Sequence, residues 1–167
     1  MKYNSALNSV SRATLLGFMA LGLTTTSAFA AVATTTFNVT ANVAKICTVS
    51  ATNLAFGTVP ATGAQNTSTI TVTCSPSAGY SVALTAGDGA VETARFMQGV
   101  TSTNHLSYAL TSVSYAGSNW GTTAGAVAGT GNGTAQPLTV YGTITAAQAL
   151  AAPVDTYSDT ITVNVTY

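Results

Sequence analysis

Charge is what this chain has least of. Its 167 residues hold four lysines and arginines and four aspartates and glutamates, 5% charged in all. Lys2 and Arg12 sit near the start, which leaves Lys45 and Arg95 against Asp88, Glu92, Asp155 and Asp159 in the remainder, a net charge of about −2. Nothing in that balance suits nucleic acid or an anionic membrane as partner, because both are held by clustered cations. A free monomer normally leans on surface charge for solubility. Here Thr, Ser, Asn and Gly must supply the polar surface, which favours a chain meant to associate.

The groups that carry chemistry are equally scarce. One histidine and four carboxylates do not converge in the sequence, and no G-x-S-x-G elbow activates a serine. His105 is expected solvated or hydrogen-bonded at the start of a strand. Asp88 and Glu92 flank a turn. Asp155 and Asp159 straddle Tyr157, where carboxylates commonly bond local backbone amides. Two cysteines and a distant histidine are too few to hold a metal. The run Gly129-Thr-Gly131-Asn-Gly133 lacks the strand-to-helix setting of a phosphate cradle. No catalytic residue, metal or cofactor is expected, and the chain is not expected to be an enzyme. Four N-x-[ST] sequons, at Asn38, Asn66, Asn132 and Asn164, arise readily in a Thr-rich sequence and carry no weight.

Long apolar runs are missing too. The longest, Ala13 to Leu23, is flanked by Lys2 and Arg12 and followed by Ala28-Phe29-Ala30, the pattern of an export signal with an A-x-A cleavage site. About eleven apolar residues fall short of the roughly twenty that span a bilayer. The expected organisation is therefore a signal peptide over residues 1–30, an N-terminal segment over 31–44 and one domain over 45–167, in the periplasm in transit and then outside the cell. In an exported domain the two cysteines, Cys47 and Cys74, most simply form one disulfide. Closing a loop of about 28 residues stabilises by roughly 3.5 kcal/mol on the chain-entropy estimate.

What is present is alternation. Leu54 and Phe56 precede Gly57; Ile70, Val72 and Cys74 alternate; so do Tyr80, Val82 and Leu84, then Leu106, Tyr108 and Leu110, then Leu138 and Val140. Ser75-Pro76-Ser77, Gly87-Asp88-Gly89 and Gly131-Asn132-Gly133 supply turns between them. Ala146 to Ala152 is the one helix-period stretch, ended by Pro153. Many short strands with Gly-rich turns argue an all-β antiparallel sandwich of two sheets. Residues 116–134 are Gly/Ala/Thr-rich and suggest a long surface excursion. Within it Trp120 is either a buried anchor or an exposed contact, with burial favoured.

Both ends of the exported chain alternate as well. From Tyr157 to Tyr167, Ile161, Val163 and Val165 share a face with Tyr157 and Tyr167 in phase. After the signal, Phe37, Val39, Ala41 and Val43 define an apolar face about 20 Å long at roughly 3.3 Å per residue. Burying Phe and two Val would contribute of order 5–8 kcal/mol before ordering costs. Backbone ladder bonds would add about 1 kcal/mol each. That suffices to hold a strand in a groove, whether its own or a neighbour's.

The order of these features resembles the spore coat protein U domain family, which includes pilus subunits of the archaic chaperone–usher pathway. The pieces that carry the likeness are the alternating segment after the signal, Lys45-Ile-Cys47-Thr-Val, Asn53-Leu-Ala-Phe56-Gly57, Ile70-Thr-Val-Thr-Cys74, and Tyr157-Ser-Asp159 through Tyr167. The resemblance implies an incomplete immunoglobulin-like sandwich that lacks its final strand and is completed by donor-strand complementation. It implies three partners: a periplasmic chaperone, an outer-membrane usher, and other copies of this chain or related pilins. On that basis Phe37, Val39, Ala41 and Val43 would be the donor strand, and Ile161, Val163, Val165 and Tyr167 the acceptor groove and C-terminal strand. The Cys47–Cys74 bond would tie the first strand to the second. The absence of a second domain favours a shaft subunit over a tip adhesin, in a surface fibre supporting adhesion or biofilm formation. The alternatives are a secreted carbohydrate- or ligand-binding sandwich using Trp120, Tyr115 and the Gly-rich loop, and a spore or cell coat protein.

Overall fold

The computed structural model describes residues 30–167; the expected signal peptide, apart from Ala30, lies outside the described residues. Residues 30–46 carry no regular secondary structure and are exposed throughout. From Cys47 onward the alternating segments become strands. These are β1 (Cys47–Ala51), β2 (Gly63–Cys74), β3 (Gly79–Leu84), β4 (Phe96–Gly99), β5 (His105–Ser107), β6 (Ala109–Thr111), β7 (Val127–Thr130), β8 (Gln136–Thr145), β9 (Tyr157–Ser158) and β10 (Val163–Thr166). A short helix, α1 (Ala146–Ala151), follows β8 directly. Its alanines have the best helix propensity, and Thr145 and Gln148 close a reciprocal capping box at its start.

All pairings are antiparallel. One sheet runs β1-β2-β8-β6, a second β10-β3-β7, and a third, smaller one β5-β4-β9. The core lies between the first two. It holds Ile70, Val72 and Cys74 from β2, Tyr80, Val82 and Leu84 from β3, Leu110 from β6, and Val140 and Ile144 from β8. Period-two alternation puts all of these on inward faces. The architecture is that of an incomplete immunoglobulin-like sandwich.

Which edges face each other follows from the short connections. The tight turn Ser75–Ala78 brings β3 back across β2, closed by Ala78 N donating to Ser75 O at 3.1 Å. Gln136 Nε2 donates to Thr130 O at 3.1 Å, which sets β7 against the start of β8. Trp120 spans the sheets, its backbone N donating to Leu110 O at 3.0 Å and its Nε1 to Val82 O at 2.9 Å. With β3 against β2 and β7 against β8, β1 and β10, the outer neighbours of β2 and β3, fall on the same side of the sandwich.

Four expectations differ from the structure. Residues 116–134 are not only a surface excursion, because they contain β7 and the buried Trp120. Gly and Ala leave no alternation to read there, and a Cβ on Gly129 would run into the Tyr80 ring. Leu54 and Phe56 alternate without forming a strand. They pack instead over Gly142 of β8, where a Cβ would lie 2.7 Å from Leu54 Cδ1 and 2.9 Å from Phe56 Cζ. The Leu106–Leu110 run divides at Tyr108 into β5 and β6, which join different sheets. The C-terminal run also divides: Tyr157 pairs with Gly99 in the third sheet, while Val163 and Val165 pair with β3. The carboxylate between them, Asp159, is the cause.

Candidate strand-acceptor groove

Among the described residues, β1 and β10 each have one hydrogen-bonded neighbour and one free edge. On β1, Cys47, Val49 and Ala51 stand opposite Cys74, Val72 and Ile70. Directly paired residues share a face, so all three point inward. Their partners are fully buried, yet Val49 keeps 43% of its surface, Ala51 is exposed and Cys47 is only half-buried. β10 repeats the pattern. Val163 and Val165 stand opposite the buried Leu84 and Val82 but are themselves half-buried, as is Ile161. Two edge strands, one from each sheet, thus expose the inward rows of side chains on the same side. The result is an apolar cleft flanked by unpaired backbone N–H and C=O groups, the setting in which a further strand gains both ladder bonds and burial. Tyr167 lies beyond β10 and is 53% exposed.

Each edge strand is tied to its surroundings. At the β1 end, Cys47 and Cys74, directly opposed across β1 and β2, are joined by a disulfide. At the β10 end, Asp159 takes Asp88 N at 2.9 Å and Thr160 N at 2.6 Å on one oxygen and the Tyr108 hydroxyl at 2.5 Å on the other. Gly87, at φ 65°, makes room for that carboxylate, which would collide with any Cβ there. Burial and the bond to Asp159 push the Tyr108 phenol well above its ordinary pKa, so it stays a donor. Thr85 then carries the pairing on from β3, donating its N to Thr162 O at 3.1 Å and accepting from Thr162 N on its Oγ1 at 3.0 Å. Asp159 therefore turns the chain out of the third sheet and delivers Ile161–Val165 onto β3.

Arg95 anchors the same strand from inside. It is 1% exposed. Its guanidinium donates to the carbonyls of Leu84, Thr85, Glu92 and Trp120 and to Asn119 Oδ1 at 2.7–3.1 Å. No motif marks Arg95. Its only signal in the sequence is that it is one of two cations after the signal segment. Val49 and Ala51, which carry no site assignment in the sequence, are also brought to the cleft by the structure.

The candidate chemical groups lie apart. His105 is exposed, stacked on Phe96 at 3.9 Å between ring centres and bonded to Gln98 Oε1 at 3.0 Å. Asp155 fastens the β4–β5 turn through the Thr101 and Ser102 hydroxyls, which hold its carboxyl below the ordinary pKa. Glu92 binds the Thr122 hydroxyl and backbone N, chiefly the hydroxyl lowering its pKa from 4.5 to about 2. A carboxylate depressed on folding contributes stability that is whole above the unfolded pKa and is lost as pH falls through the folded one. The melting temperature should therefore hold at neutral pH and decline below about pH 4.5. Glu92→Gln should lower the neutral-pH melting temperature and flatten that decline; a parallel, unflattened decline would remove Glu92 from the account.

The fold and its open edge define the class: an immunoglobulin-like β-sandwich one strand short, with an apolar cleft between its two edge strands. The family model of the Spore Coat Protein U domain matches residues 33–164, and the chain belongs to that family. Among solved structures it is similar to a chain in the crystal structure of the CsuC–CsuE chaperone–tip adhesion subunit pre-assembly complex from archaic chaperone–usher Csu pili of Acinetobacter baumannii. The TM-score is 0.56 at 23% identity, covering 75% of this chain and 40% of that one. The present chain thus spans less than half the length of that one, and at this identity the likeness bears on the fold. Comparison with curated proteins finds no match.

Proposed function

We propose that this chain is a structural subunit of a surface pilus assembled by the chaperone–usher pathway through donor-strand exchange. The observation that carries the proposal is the pairing of an unfilled groove with an unpaired strand-like segment. Cys47, Val49 and Ala51 on one edge and Ile161, Val163 and Val165 on the other leave apolar surface open. Phe37, Val39 and Val43 are each more than 80% exposed on a segment with the matching two-residue period. In this reading residues 1–30 direct export and 31–44 are the donor. The sandwich of 45–167 accepts first a chaperone strand and then, at an outer-membrane usher, the donor of the next subunit. The chain passes through the periplasm to the cell surface, and the fibre serves adhesion or biofilm formation. Family and fold membership, together with carboxylates spent on backbone bonds, support a structural rather than an enzymatic role.

Val39→Asp places an unpaired charge at the centre of the donor face, which the groove can accept only at a cost of several kcal/mol. Export and the disulfide should be unchanged while fibres are lost, as seen by electron microscopy of cells and by boiling-sensitive ladders on gels. Fibres of normal abundance from the Val39→Asp chain would refute the assigned donor face.

A further inference from the structure

We infer that Asn132 is a latent deamidation site, which the fold keeps silent by engaging the one backbone nitrogen able to attack it. The inference concerns the chemical durability of the domain and does not rest on the pilus reading. Asparagine is a labile residue, and most labile before glycine, where no side chain shields the next backbone nitrogen. Of the chain's asparagines only Asn132 precedes a glycine. Local geometry demands that pair. The connection from β7 to β8 turns at residues 131–133, where Gly133 takes φ 81°. Asn132 closes an Asx turn there, its Oδ1 accepting from Thr134 N at 2.9 Å and from the Thr134 hydroxyl at 2.8 Å. The residues that make the turn are thus the ones that make the amide labile.

Deamidation begins when the Gly133 nitrogen attacks Asn132 Cγ. An N–C bond forms, the Cγ–Nδ2 bond breaks, and the Gly133 proton leaves with the side-chain amide as ammonia. Water then opens the cyclic imide at either carbonyl, giving aspartate or isoaspartate. The attacking nitrogen must give up its proton and turn toward Cγ. In the folded domain it does neither, because Gly133 N donates to Cys74 O at 3.0 Å. The two Thr134 bonds hold the Asn132 side chain at the same time. The acceptor is fixed in its turn: Cys74 is 1% exposed and bonded to Cys47. Two further bonds seat the turn on residues 75–78, Ser77 N donating to Gly131 O at 2.9 Å and Gly131 N to Ala78 O at 2.8 Å. The seat is tight, since a Cβ on Gly131 would lie 2.3 Å from Ser75 O. The chain's one Asp-Gly pair, Asp88-Gly89, cyclises by the same attack with loss of water, and it is guarded alike: Gly89 N donates to Ala86 O at 3.2 Å.

The test follows the purified protein at mildly alkaline pH, folded and also reduced and unfolded in guanidinium chloride. Ion-exchange chromatography reads the added negative charge, and mass spectrometry of the peptide containing Asn132 places it. In the folded chain deamidation should be about a hundredfold slower than in the unfolded one, since it waits on local opening of the turn. Hydrogen exchange of the Gly133 amide, resolved by NMR in the folded chain, should be slowed to a similar degree, because both reactions need the same bond broken. Thr134→Val, which deletes only the hydroxyl, should speed deamidation a few fold and leave the Gly133 exchange rate nearly unchanged. Folded and unfolded chains that deamidate at similar rates would overturn the inference. A Gly133 amide that exchanges as fast as in the unfolded chain, while deamidation stays slow, would overturn it too, for the protection would then lie outside that hydrogen bond. An unchanged deamidation rate in the Thr134→Val chain would overturn the part assigned to Thr134.

Discussion

Arg95→Met is expected to lower the thermal midpoint of the folded domain by roughly 15 °C, or to leave no soluble protein, on a loss of order 4 kcal/mol. The guanidinium satisfies four backbone carbonyls and one side-chain amide from segments far apart in sequence. Methionine fills much of the volume but donates nothing. Each buried carbonyl left without a donor costs about 1–3 kcal/mol. Two of these carbonyls, of Leu84 and Thr85, lie at the end of β3, the strand on which β10 is laid, so the acceptor groove should loosen with the core. Arg95→Lys keeps the charge but not the planar fork, and one ammonium cannot reach the same set of acceptors. It should recover little of the loss. Circular dichroism melts decide the matter: a midpoint within a few degrees of the unaltered protein would mean, for Arg95→Met, that the guanidinium is incidental and, for Arg95→Lys, that a cation suffices without the fork.

Trp120→Ala should be nearly as damaging, at about 3–5 kcal/mol for a large core side chain. The residue is 1% exposed and joins the two main sheets, its indole Nε1 donating to Val82 O and its backbone N to Leu110 O. Trp120→Phe keeps most of the apolar surface and gives up only the bond to Val82, so it should cost about 1–3 kcal/mol. Because Arg95 binds the Trp120 carbonyl, the two losses should not add when combined. The tryptophan also bears on the carbohydrate-binding alternative, which needs an exposed ring. A Trp120→Ala protein that melts normally but loses binding to a sugar would favour that alternative; a protein that fails to fold places Trp120 in the core.

Much of this was legible along the chain. The inward rows of β2, β3 and β8 follow from strict alternation, and α1 from an alanine run that Pro153 ends. Asp155 and Asp159 were marked for backbone amides by their place beside Tyr157, and both make such bonds. Illegible parts share a cause. β7 is built of Val, Ala, Gly and Thr and joins its sheet through backbone bonds, which leave no trace in side-chain pattern. The single apolar stripe from Tyr157 to Tyr167 hides a change of sheet, because Asp159 diverts the backbone without breaking the alternation. Arg95 carries no motif, since its acceptors are carbonyls that any residue supplies.

By itself the sequence determined the inward rows of β2, β3 and β8 and the chance of one disulfide. Alternation is a local property of extended backbone, and two cysteines leave one pairing. Only the tertiary structure decided which strands became edges. β1 and β10 lie more than a hundred residues apart, and each finds a single partner only because β2 and β3 have other neighbours. The open groove is a property of that whole pattern of pairings, and no local stretch of sequence encodes it.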